Sequence, residues 1–267
     1  VNTRPFPNLA FLRPLAALLL LALLQGCSVL QGGKLFAPQS FGFERIAPDL
    51  YVEAGADASA RARLMQAVPQ AEAAVRGVFG SVLSRPAVHA CVTEGCHRAF
   101  GGGGTMAKVY GDRILLSPRG LSWHYLAHEW SHAELFQRLR WRGFWALPRW
   151  FDEGLAVAVS EAPETSEAHW QALRAAGVPV PSPVQLRRID SLWRWETAIQ
   201  AWGDGGNAGR RARGEWEIRP LYTAAGHEVR PWLKTHGTVG LLALIGGLNA
   251  GEPFEDFYDA APVAAAP

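Results

Sequence analysis

Three cysteines in 267 residues are too few for a multi-disulfide scaffold or a four-cysteine zinc site. A basic surplus is also missing, since 26 Lys and Arg stand against 24 Asp and Glu. Two of those arginines, Arg4 and Arg13, lie in the acid-free first 26 residues, so the remainder is balanced at 24 against 24. A nucleic-acid binder needs a basic surface, and this composition offers none. There is no heptad run and no internal repeat. Gly101–Gly104 lacks the Gly-Lys-Ser/Thr ending of a phosphate-binding loop, which removes a nucleotide role for it. What the chain does hold is material for a core. Hydrophobic residues make up 49% against 19% charged, with 11 Trp, 12 Phe and 5 Tyr, which excludes intrinsic disorder.

The first 26 residues read as an address. Arg4 and Arg13 form a positive start, and Leu15–Leu24 is a ten-residue run of Leu and Ala, too short to span a bilayer but suited to a signal peptide. The run ends in Leu24-Gln25-Gly26-Cys27, which resembles the lipobox of bacterial lipoproteins, although Gln25 departs from the small residue usual there. The resemblance implies a lipid on Cys27 and a mature chain that begins there. Ser28 resembles lipoproteins sent to the outer membrane, which implies an anchored protein of the cell envelope facing the periplasm. The other reading is a secreted protein whose Cys27 is incidental. In an exported chain Cys91 and Cys96 read as a local disulfide, with free thiols or part of a metal site as alternatives.

Residues 27–48 read as a tether, Gly/Pro/Gln-rich over Gln31–Ser40, and 261–267 as a disordered tail. Between them, 49–260 reads as one domain, with its strands before about residue 119 and helices after. Asp49–Glu53 and Ala87–Val92 look like strands, and Val109-Tyr110 with Arg113–Ser117 like a hairpin about Gly111-Asp112. Ala58–Phe79 is helical in pattern, but Pro69 is expected to kink or split it. Gly203–Gly214 reads as a loop.

The chemistry concentrates in His128-Glu129-Trp130-Ser131-His132. On a helix, His132 lies about 40° round from His128 and one turn along, so both imidazoles can reach one ion. Glu129 lies about 60° beyond His132, placed for a metal-bound water rather than for the metal. A zinc hydrolase needs two neutral nitrogen ligands, a base beside the water and an open position. On this motif alone, two histidines and a glutamate decorating a helix is the competing reading. His124 is one turn earlier, but His124 to His132 spans about 12 Å, so three rings cannot converge and His124 reads as packing or as an outer partner.

Eighteen residues after His132 begins Trp150-Phe151-Asp152-Glu153-Gly154, with Pro148 suited to a helix start. Together the two motifs resemble the gluzincins and their peptidase-MA-like relatives, zinc peptidases in which a Glu on the following helix, within a Trp-x-x-Glu-Gly segment, completes the site. The metzincin continuation is excluded, because Leu135 and Arg138 stand where its Gly and third His belong. The resemblance covers roughly residues 108–260, is weak in its C-terminal part, and meets departures at Pro231 and Gly203–Gly214. It implies an α+β, zincin-like fold: a small mixed, partly antiparallel sheet on the zinc-site helix, with a helical C-terminal half. It also implies one Zn²⁺ per chain on His128, His132 and Glu153, Glu129 as general base, a peptide or protein substrate, and Arg113–Ser117 as the strand edge along that substrate.

For the second oxyanion donor the candidates are Tyr222 and His227, with Tyr125 and Tyr110 behind them. Asp152 reads either as a partner that orients a ligand histidine or as a solvated helix-start acid. Trp123, Trp130, Trp141, Trp145 and Trp150 read mainly as core or anchor residues, with stacking on a substrate as the alternative, and Arg138, Arg140, Arg142 and Arg149 as exposed cations or receivers of a substrate carboxylate. The function implied is a membrane-anchored zinc peptidase. The alternative is a catalytically inactive peptide-binding or structural lipoprotein of the same envelope.

Overall fold

The computed structural model describes residues 31–261. The leader, Cys27 and the tail from 262 onward lie outside the described residues. The architecture is α+β, with a five-stranded mixed sheet in the order β1-β2-β3-β5-β4. The strands are β1 (Phe43–Ala47), β2 (Leu50–Glu53), β3 (Ala87–Ala90), β4 (Ala107–Tyr110) and β5 (Arg113–Leu116). Pairs β2–β3 and β3–β5 are parallel, while β1–β2 and β4–β5 are antiparallel. Side chains alternate between the two faces of a strand. Val52, Val88, Ala90, Ile114 and Leu116 accordingly join the main core, while Leu115 points to a small second cluster with Leu35, Phe43, Cys91 and Phe100.

On the main-core face lie α1 (Ala58–Phe79) and α3 (Trp123–Arg138), packed against each other. On the other side of the sheet, α2 (Glu94–Ala99) follows β3 directly, and a Cys91–Cys96 disulfide ties it to the strand end. After α3 the described chain is helical: α4 (Trp141–Ala146), α5 (Arg149–Ser160), α6 (Glu167–Ala175), α7 (Pro183–Arg187), α8 (Leu192–Ala201), α9 (Asn207–Ala212), α10 (Pro220–Ala250) and α11 (Glu255–Tyr258). Helix α10 continues through Pro231 and breaks at Gly237, whose φ of 58° favours glycine. Helix α5 is the hub, packed on α3 at one side and on α10 at the other. Gly154 makes the second contact possible, since a Cβ there would lie 2.6 Å from the Ala225 carbonyl oxygen.

Three expectations from the sequence are corrected. Within the expected tether, residues 31–48 are packed: Leu35 and Phe43 are buried, and β1 forms a sheet edge, because scattered apolar residues there find the free face of the sheet. Pro69 does not split α1. The buried stripe Ala60, Leu64, Ala67, Ala71, Val75 and Phe79 runs through it uninterrupted, and packing holds the helix together around one missing hydrogen bond. Gly203–Gly214 is not an open loop but a short 3₁₀ turn and α9. Asn207 pins it, donating to the Ile218 carbonyl at 2.7 Å and accepting from the Ile218 amide at 3.0 Å.

Candidate metal centre

Helices α3 and α5 run antiparallel. His124 Nδ1 meets the Ser160 carbonyl at 2.7 Å at one end, and His132 Nδ1 meets Asp152 Oδ1 at 2.7 Å nearer the other. His124 thus ties down the last turn of α5, where a ring N–H suits the unpaired carbonyls of a helix end. Spacing of four residues puts His128 and His132 on the face of α3 turned to α5, with ring centroids 5.0 Å apart. Glu153, in the first turns of α5, meets them. Its Oε2 lies 3.3 Å from His128 Nε2 and 3.7 Å from His132 Nε2.

That oxygen decides whether the set suits a cation. Glu153 Oε2 is buried and has no hydrogen-bond partner, although its sister Oε1 accepts from Arg149. A buried carboxylate oxygen without a partner is costly. Here it faces two imidazole nitrogens, and one donor atom from each residue falls within 4.8 Å of the others. Two neutral nitrogens and one carboxylate oxygen form the donor set that zinc accepts when a fourth position stays open. The residues fit the ion.

Around this set stands a layer that the sequence disclosed only in part. Asp152 is buried, bonded to His132 Nδ1 and paired with Arg149. Of its two readings, the solvated helix-start acid is excluded, and Asp152 instead orients His132. Arg149, expected as an exposed cation or a receiver of a substrate carboxylate, is instead half-buried and paired within the site. It sits at the start of α5 and reaches Asp152 and Glu153, three and four residues on, a helical spacing that could have revealed it. Burial alone would raise the Glu153 carboxyl, but Arg149 and His132 hold it well below its ordinary range. Burial likewise works against the His132 imidazolium, and the Asp152 and Glu153 carboxylates outweigh it, holding it up at about 10, so a cation on Nε2 would have to displace that proton.

A cleft of about 400 Å³ opens over the set. His128 and half-buried Glu129 form its floor with Tyr125, Met106 and Ala107 line one wall, and Glu196, Asp204 and Tyr222 line the far side. His132 and Glu153 lie beneath the floor rather than on it. Tyr222, on α10, has its ring centroid 6.2 Å from that of His128, and burial holds its phenol far above the ordinary value. Asp204 accepts from the Leu221 amide at 3.0 Å and so caps the start of that helix; burial pushes its carboxyl up to about 7.

Other candidates stand elsewhere. His227 stacks on Trp170 and meets Glu167 at 2.8 Å, away from the cleft lining, because it falls on the α10 face turned to α6. Tyr110 donates to the Gly101 carbonyl at 2.8 Å. Arg113–Ser117 is not a sheet edge. The hairpin folds β4 outward, so β5 is enclosed by β3 and β4, and the edge beside the cleft belongs to β4. Trp130 and Trp150 are core, but Trp141 and Trp145 are exposed, and none of the five tryptophans near the motif lines the cleft. Arg138 is committed to buried Glu134, while Arg140 and Arg142 stand in solvent.

No family model, curated protein or solved structure matches the chain. The reading of the centre therefore rests on its own geometry.

Proposed function

We propose that the protein is a zinc-dependent peptidase of zincin-like architecture, held at a membrane through a lipid on Cys27. The observation that carries the reading is the meeting of His128 Nε2, His132 Nε2 and the unpartnered Glu153 Oε2 beneath a cleft whose floor is Glu129. Bound zinc supplies Lewis acidity that polarises a carbonyl and lowers the pKa of a coordinated water toward neutrality.

The remaining work belongs to the chain. Asp152 accepts the hydrogen bond of His132 Nδ1–H, so that Nε2 would be the nitrogen that holds the ion. Arg149 fixes Oε1 of Glu153 and leaves Oε2 for the ion. Glu129 is a carboxylate without an ion pair among the described residues; it takes the proton of the attacking water and returns it to the leaving amine. The Tyr222 hydroxyl, kept protonated by burial, donates to the oxygen on which charge develops. An extended substrate can pair with the outer side of β4, whose Ala107 lines the cleft. Retention of Glu129, which a purely structural zinc site has no use for, favours catalysis over the binding-lipoprotein alternative.

The test is metal analysis of the purified protein together with cleavage profiling on a mixed peptide library. About one zinc per chain and chelator-sensitive cleavage support the proposal. Full activity in exhaustively chelated, metal-free protein defeats it.

A further inference from the structure

One exposed aromatic face of the described molecule takes no part in the cleft. Trp141 is 75% exposed, Trp145 66% and Phe136 57%, with Phe144 at 38%. These four rings touch one another. Phe136 meets Phe144 at 5.7 Å, Phe144 meets Trp145 at 5.4 Å, and Trp145 meets Trp141 at 5.4 Å, all edge to face. They form one continuous patch rather than scattered surface residues, and such patches mark interaction sites.

The exposure is enforced by the fold. Helix α4 is clamped from behind by Asn249 of α10, whose Oδ1 accepts from the Arg140 amide at 2.6 Å and whose Nδ2 donates to the Arg138 carbonyl at 2.9 Å. Gly143 lets the two helices close up, since a Cβ there would lie 2.7 Å from Asn249 Oδ1. With its inner face held, α4 can present Trp141 and Trp145 only outward.

The segment that carries the patch has charge of one sign. Residues 136–149 contain four arginines and no acid. Arg138 and Arg149 are taken up by Glu134 and by Asp152 with Glu153. Arg140 and Arg142 are exposed, and neither has a carboxylate partner among the described residues. Tryptophan favours the headgroup layer of a bilayer, where its apolar body and N–H are both accommodated, and unpaired arginines favour anionic headgroups.

We propose that the aromatic face of α4, centred on Trp141 and Trp145 and flanked by Arg140 and Arg142, docks on an anionic phospholipid bilayer. The surface is independent of the metal centre and makes a second membrane contact besides any lipid on Cys27. It fixes which way the domain faces the membrane, something a single flexible attachment cannot do.

The experiment places the full chain on vesicles of phosphatidylethanolamine and phosphatidylglycerol carrying brominated acyl chains, and reads tryptophan emission against unbrominated vesicles. Wild type should be quenched, and Trp141→Ser/Trp145→Ser should lose most of that quenching with an unchanged circular dichroism melt. An arginine at an anionic surface is worth roughly fivefold in partition, so Arg140→Gln/Arg142→Gln should weaken docking about thirtyfold. Replacing phosphatidylglycerol with neutral phosphatidylcholine should act in the same direction. Equal quenching in wild type and the tryptophan variant overturns the proposal, as does wild type that is bound to the vesicles and unquenched. Loss of a cross-linked envelope protein from the tryptophan variant, with quenching unaltered, assigns the face to a protein partner and overturns it too.

Discussion

His132 donates from Nδ1 to Oδ1 of Asp152 across 2.7 Å, and this bond determines which imidazole nitrogen faces Glu153. Outer partners of this kind typically matter by about 10–100-fold in metal affinity. Asp152→Ala should therefore weaken zinc by about that factor while the protein stays folded. Competition with a coloured chelator measures it, and wild-type affinity in the variant would deny Asp152 its orienting role.

Glu129 and Glu153 should separate rate from metal content. Glu129→Gln keeps the ligand set and removes the base, so zinc should be retained while peptide cleavage falls by roughly 10²–10⁴-fold. Glu153→Gln weakens a ligand, so zinc and turnover should fall together. If Glu129→Gln cleaves library peptides as fast as wild type, the peptidase reading fails and the binding-lipoprotein alternative takes over.

Gly154 should tolerate no side chain. A Cβ would lie 2.6 Å from both the Ala225 carbonyl oxygen and Val229 Cγ2, so α5 and α10 would have to part. Overpacking of this kind costs about 1–3 kcal/mol. Gly154→Ala should lower the melting temperature and, because Glu153 and Tyr222 sit on the two separated helices, reduce turnover as well. Unchanged thermal stability would show that the two helices can yield there.

His89 should make the fold acid-sensitive. It is fully buried, with neither ring nitrogen partnered, and burial depresses its pKa to about 4. The unfolded chain takes up a proton below about 6.5, whereas the folded one resists until about 4. Its contribution is thus present above pH 6.5 and is lost as the pH falls toward 4, by about 3 kcal/mol in all. Urea denaturation of wild type and His89→Phe from pH 7 to 4.5 should show the steeper loss in wild type. Parallel pH profiles would contradict this account.

The chemical signal was legible because it is local. His128, Glu129 and His132 follow helical periodicity, and Trp150–Gly154 needs only the next helix to be meaningful. Strands β2 and β3 and the hairpin at Gly111 were legible for the same reason. Strand order is not local. Whether β4 or β5 forms the edge depends on which of them pairs with β3, some twenty residues back, and alternating side chains carry no record of that choice. Packing of residues 31–48 was hidden similarly, since the partners of Leu35 and Phe43, Leu115 and Phe100, lie far along the chain. The role of Arg149 was misread for another reason. An arginine beside two acids looks like surface until Asp152 and Glu153 prove to be buried.

The packing of residues 31–48 also shortens the leash. A free segment of 27–48 would have let the domain roam tens of ångströms from its lipid. With Gln31 already at the folded body, only four residue steps separate Cys27 from it, at most about 14 Å of extended chain. A lipid on Cys27 would therefore keep the cleft within one domain diameter of the bilayer, and any substrate would have to be met at the membrane rather than sought across the surrounding space.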